Sequence, residues 1–216
     1  SFPEPQHYST RKINFPGGDL CFSWAVAHKA DPPPWLLPPV TVGEAIGDLP
    51  SIPSGGGALE LPYAEPAQNA YQGMCRDGSD VVWNHVCQGM DEVNFKRLAH
   101  VPPGGSWRDI PPEHLPAGLA GSSRRDHTRR YGRLRADDLS GTIMTKCDPH
   151  WGTVIHYGQD RIISVREAAR IQSFPDRHWF DGSRMACYRQ VGNAVPPLLA
   201  RRLAVALAKA LEGGVG

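Results

Sequence analysis

The clearest periodic stretch closes the chain. Leu199, Leu203, Ala206, Leu207 and Ala210 recur at helical spacing, and Pro196-Pro197 stands just ahead of them. Proline preset for a first helical turn, followed by an apolar stripe, predicts a helix running to about Leu211. Residues 164–173, SVREAARIQS, predict another. Ser164 caps it, Glu167 three residues on completes a capping box, and Val165, Ala168, Ala169 and Gln172 fall near one face. Phe174-Pro175-Asp176 ends it. Residues 41–50 predict a short helix, with Thr41 as cap, Glu44 at the capping-box position and Pro50 as stop. Residues 91–101 predict a fourth, with Val93, Phe95 and Leu98 turned inward and Pro102-Pro103 as terminator. The runs GTIMT (141–145) and TVIHY (153–157) carry β-type composition and are joined by a loop, Asp-Pro-His-Trp-Gly.

The remainder reads as irregular. Phe2-Pro-Glu-Pro is an extended connector, because each proline biases its predecessor away from helix. Residues 11–40 mix short apolar runs with DPPPW and LLPP and predict strand fragments and loop. Residues 51–80 are rich in Gly and Pro, with SGGG at 54–57, and predict a loop region. Residues 102–128 are turn-rich, with Trp107 as an anchor.

Composition narrows the class. The chain has 216 residues, of which 40% are hydrophobic and 21% charged, as in ordinary globular domains. Its 23 glycines and 21 prolines agree with the many loops. No apolar run approaches the ~18 residues of a membrane span, and SFPEPQHYST has neither the charged start nor the apolar core of a signal peptide. Cys21, Cys75, Cys87, Cys147 and Cys187 form no CxxC pair, which predicts reduced thiols acting as small apolar fillers and no metal site. The net charge of +1 hides an asymmetry: residues 124–135 hold six arginines against one Asp, and residues 161–202 hold eight against three acids. Arginine's planar fork suits phosphates and guanine edges.

Two stretches then bring a family into view. Residues 161–176 read RIISVREAARIQSFPD, and residues 190–200 read QVGNAVPPLLA. They resemble the R-E-x-x-R-x-Q-x-F-P-D and Q-x-G-N-x-V-P-P motifs of the cytosine-5 DNA methyltransferases, in the family's order. Weaker likenesses run upstream through Phe2–His7, the helix at 41–50, His85 with Gly89-Met90, PGGSWRD at 103–109, and Tyr131-Gly-Arg133-Leu with residues 141–145. The family's Phe-x-Gly-x-Gly donor loop, Pro-Cys nucleophile and Glu-Asn-Val element do not occur in these 216 residues.

The resemblance implies a fold and a division of labour. The fold expected is α+β: a small, irregular mixed recognition domain, plus a C-terminal helix that packs on a Rossmann-like S-adenosylmethionine domain outside this chain. It implies residues 1–20 as a connector, 21–185 as the target recognition domain and 186–216 as the closing segment. It implies part of an enzyme that methylates C5 of a flipped-out cytosine, with no catalytic residue in this chain and no activity from it alone. Arg129, Arg130, Arg133, Arg135, Thr145, Lys146, His150 and Arg161 become candidates for DNA contact. Asn193 and Val195 become candidates for contact with S-adenosyl-L-methionine, in the turn opening the last helix, with Gly192 allowing close approach. Arg166, Glu167, Arg170 and Gln172, with Gly192, are expected to be structural. Trp107, Trp151 and Trp179 are expected as packing anchors. The partners implied are double-stranded DNA and the catalytic half of the enzyme. The setting implied is intracellular and DNA-associated, with a bacterial restriction-modification or orphan enzyme favoured by the compact recognition region. An RNA cytosine-5 methyltransferase of the same family and a non-catalytic DNA-binding module are the alternatives.

Overall fold

The computed structural model describes residues 3, 6–8, 34–123 and 129–212. Most of the segment 11–40, Cys21, and Arg124 and Arg125 of the arginine-rich stretch lie outside the described residues. The chain divides into two compact units, residues 41–198 and residues 1–40 with 199–216.

The larger unit is α+β with short elements. Helix α1 (Val42–Ile46) has the expected Thr41–Glu44 capping box, with the Glu44 carboxylate accepting from the Thr41 backbone N–H at 2.7 Å. Residues 51–80 are more ordered than their composition predicts. They contain β1 (Gly57–Pro62) and α2 (Ala70–Arg76), and β1 pairs antiparallel with β2 (Val81–Val86). Strand β1 buries none of its residues, so no apolar alternation marked it. Its first residue, Gly57, has φ +94°, and a Cβ there would collide with the His85 carbonyl oxygen.

Helix α3 (Glu92–Leu98) is capped by Asp91. Its inward face differs from the expected one. Leu98 is fully buried, but Val93 and Phe95 are exposed. The face is set by polar partners instead, because Asn94 and Arg97 meet the hydroxyl of Tyr131. Beyond it, Ser106 and Asp109 form a second capping box around a short 3-10 turn. That turn seats Trp107 in a cluster with Val101, Ile110, Leu119 and Tyr131. Two short strands, β3 (Gly132–Arg133) and β4 (Thr153–Ile155), pair in parallel. The stretch 141–145, expected as a strand, forms none.

Helix α4 (Val165–Ile171) is the centre of this unit and packs against α1, β2 and α5 (Arg184–Asn193). Its Ser164–Glu167 capping box is present. It ends through Ser173 at φ +64°, with Ser173 N–H donating to Arg170 O and Phe174 N–H to Ala169 O. Those two bonds form a Schellman cap. Sequence periodicity assigned α4 one apolar face, yet every residue from Val165 to Arg170 is buried. Its charged side chains are paired inside the protein. Arg170 donates to both Asp176 oxygens (2.8 and 2.6 Å), to Asp48 (2.7 Å) and to Ala45 O (3.1 Å). Arg166 donates to the carbonyls of Trp83, Pro175 and His178. Burial pushes Arg166 down to about 10, which leaves it charged at neutral pH.

The last helix, α6 (Pro197–Glu212), matches its expected limits, but none of its residues is buried. Leu199, Leu207 and Leu211 of its apolar side are exposed. In the smaller unit, residues 6–8 bridge Leu37 through two backbone hydrogen bonds. Among the described residues, no helix is long and apolar enough to cross a membrane, and no cluster of His, Cys, Asp or Glu could hold a metal ion.

Candidate nucleic-acid interface

The arginines selected by sequence divide sharply in the structure. Arg133 is 7% exposed. It donates to the carbonyls of Val101 (2.7 Å) and Leu98 (3.2 Å) and to Asp160 (2.7 Å). Arg161 is 1% exposed and grips Glu167 through two bonds of 2.7 and 2.6 Å. Neither guanidinium is available to DNA; contrary to the expectation of DNA contact, both are internal staples. Their donors are used on backbone carbonyls and carboxylates that burial would otherwise leave unpaired. Arg135 is exposed, but its fork is held by Asp137 at 2.9 and 2.6 Å.

A second group faces outward from one surface segment. Residues 141–151 have no regular secondary structure and are pinned by Ile143, Cys147 and Pro149, all buried. Met144 and Lys146, between these pins, and Trp151, just past them, are exposed, and Thr145 is half-buried. Burial pushes the Cys147 thiol up to about 12 and the Cys75 thiol up to about 11, so neither is a thiolate at neutral pH.

The arginine stretch meets this segment side by side. The guanidinium of Arg130 lies 5.3 Å from the ring centroid of Trp151, a cation–π pair. Arg129 is exposed, and its guanidinium lies against Gly141. Trp151 was expected as a packing anchor but is 56% exposed, and Trp179 is 42% exposed. No periodic pattern marks a single tryptophan in a loop as exposed. The proximity of a cationic run was the only hint.

Tyr131 is the hub beneath this surface. It is fully buried at φ +50°, and its N–H donates to Pro149 O. Its hydroxyl lies 3.1 Å from Asn94 Oδ1, 3.3 Å from Arg97 and 2.9 Å from His150 Nδ1. A hydroxyl has one proton. With that proton directed at Asn94 Oδ1, the hydroxyl oxygen accepts from His150 Nδ1–H.

The closing-motif candidates lie elsewhere. Asn193 is not in the opening turn of the last helix but is the final residue of α5. It is exposed, and Val195 is 59% exposed in the short turn before α6. Gln172 donates to Val191 O at 3.2 Å, which ties α4 to the same end of α5. An exposed amide and an exposed apolar side chain can touch a ligand held by another segment, although two residues do not enclose one.

A mixed α+β unit with a central helix whose buried charges are all partnered and a cationic, aromatic-bearing loop is the class of structure seen. A family model for C-5 cytosine-specific DNA methylase matches residues 87–209. The chain belongs to that family. It is 34% identical to DNA (cytosine-5)-methyltransferase 4 of Arabidopsis thaliana, covering 97% of this chain and 15% of that protein. It is 31% identical to the type II methyltransferase M.AgeI of Thalassovita gelatinovora, covering 83% of this chain and 53% of that one. The chain thus spans 15% of each of the first plant relatives and about half of a bacterial one. A crystal structure of a candidate DNA modification methyltransferase encoded within a prophage (E. coli) superposes with a TM-score of 0.57 at 20% identity. That likeness covers 81% of this chain and 48% of the other and bears on the fold alone.

Proposed function

We propose that this chain is the DNA-recognition and donor-proximal part of a DNA (cytosine-5-)-methyltransferase acting on a flipped-out cytosine in a short duplex site. The observation that carries the reading is the outward set Arg129, Arg130, Lys146 and Trp151, held over the Tyr131–His150 hub in a chain of this family. Arg129 and Lys146 would neutralise phosphates and fix register. His150, oriented by Tyr131, would offer Nε2 to a base edge, and Trp151 would offer an apolar face beside it. Thr145, next to Lys146 in the chain, and Arg135 complete the proposed DNA contacts. Residues 21–185 would form the target recognition domain, 1–20 the connector and 186–216 the closing segment. The catalytic half, with its cysteine nucleophile, is the second partner.

S-adenosyl-L-methionine supplies the methyl group in this reaction, and Asn193 and Val195 would contact it from the α5–α6 turn. This chain's own contribution is to bind the duplex, orient the site and close one edge of the donor's surroundings.

Salt dependence tests the phosphate assignment. Lys146→Ala and Arg129→Ala should each lower the slope of log affinity against log salt by about 0.9, with little change in sequence preference. Trp151→Ala should weaken binding while leaving that slope unchanged. Fluorescence anisotropy with a labelled duplex, titrated across salt concentrations, measures both. Variants that all bind like the parent would remove this surface from the interface.

A further inference from the structure

The recognition segment and the donor-side turn meet at one residue. Gly192 lies in the last turn of α5. A Cβ built on it would lie 2.5 Å from Thr145 N and 2.6 Å from both the carbonyl carbon and the carbonyl oxygen of Met144. All three are backbone atoms, so no side-chain rotation relieves the approach. Glycine inside a helix costs up to about 1 kcal/mol relative to alanine, a cost that close backbone approach can offset.

Helix α5 is poorly placed to give way. Tyr188 is buried and donates from its hydroxyl to Ile163 O at 2.7 Å. Gln172 holds Val191 O, and Cys187 and Val191 are buried. The other side of the contact has no ladder or helix: Met144 is exposed and Thr145 half-buried in the irregular stretch between the buried Ile143 and Cys147. A side chain at 192 would therefore move the segment, not the helix.

From this contact we infer that Gly192 is a positioning residue for the recognition segment. It seats the Met144–Thr145 backbone directly on α5 and so sets where the adjoining Lys146 stands. Asn193 follows Gly192 in the chain, so the same contact registers the recognition segment against the turn assigned to the donor side. The inference rests on the DNA-reading proposal for what the segment recognises, but the seating itself can be measured without DNA.

Hydrogen exchange on the 216-residue chain, parent against Gly192→Ala, separates the outcomes. Amides of residues 141–151 should exchange about tenfold faster in the variant, while α4 and residues 184–191 keep their parent rates. Unchanged exchange in 141–151 overturns the inference. So does faster exchange spread evenly over α4 and α5, or failure of the variant to fold, since each makes Gly192 a scaffold residue. A second arm uses the enzyme with its catalytic segments. Gly192→Ala should lower discrimination between the cognate site and a single-mismatch site by about tenfold. A changed donor KM with intact discrimination would overturn the inference. If the parent methylates no DNA, the functional reading fails and the exchange arm still decides the seating.

Discussion

Replacing Arg170 by alanine is expected to destabilise the residue 41–198 unit by about 3–5 kcal/mol, the cost of leaving buried charge unpaired. Arg170 sits between Asp48 and Asp176, and the three side chains are fully buried. Removing the guanidinium takes a paired cation from two buried carboxylates. Asp48 keeps Arg76, and Asp176 keeps the Tyr63 hydroxyl at 2.7 Å, so the loss is partial for each. The arginine also ties Ala45 O at the end of α1 to α4, so the damage crosses elements. Arg170→Lys should recover little, because an ammonium is a point donor and cannot bridge two carboxylates as a planar fork does. Denaturant unfolding reads the effect as a fall in midpoint. A variant within 1 kcal/mol of the parent would mean that the triad contributes no net stability.

Acid should unfold the protein earlier than its surface charge suggests. His156 is buried, and desolvation lowers its pKa from 6.5 to about 4. Its Nδ1 accepts from the Gly158 N–H, so the neutral ring carries its proton on Nε2, 3.6 Å from Glu167. That approach is therefore not an ion pair near neutrality. The unfolded chain takes up this proton first as the pH falls, so stability drops between pH 6.5 and about 4, by roughly 3 kcal/mol. Glu167 adds a second, lower window. Burial alone would raise its pKa, but the Arg161 hydrogen bonds and charge outweigh it and hold the carboxyl at about 2. Its contribution is complete above pH 4.5 and is lost as the pH falls toward 2. His85 is also lowered by burial and acts in the same direction as His156. Unfolding free energy measured from pH 7 to 4 should fall steadily, and His156→Gln should flatten part of that slope. A flat profile in the parent would contradict the account.

The sequence carried its local signals well and its tertiary ones poorly. The capping boxes at Thr41–Glu44 and Ser164–Glu167 lie within single turns, so their helices were legible from four residues each. The paired motifs at 161–176 and 190–200 were likewise enough to point to the family. Helices α2 and α5 and the antiparallel β1–β2 pair were missed, because β1 buries none of its residues and α5 buries only three scattered ones. The direction of an arginine was not legible at all. Arg129 and Arg133 are four residues apart in one basic run, yet one is exposed and the other is held by the carbonyls of Leu98 and Val101. Such partners belong to other elements and appear only once the chain is folded. Gly192 is a related case. A motif glycine signals a need for space, but only the structure shows that the space belongs to Met144 and Thr145.

As proposed, this chain directs methylation to cytosine in duplex DNA while another segment performs the covalent step. The most direct test quantifies 5-methylcytosine by mass spectrometry after incubation with S-adenosylmethionine and either duplex DNA or tRNA. The chain is assayed alone and with the N-terminal catalytic half supplied. The account predicts 5-methylcytosine at one short site in the duplex, only when both parts are present. Methylation confined to tRNA, methylation by the chain alone, or none by the reconstituted pair would contradict it.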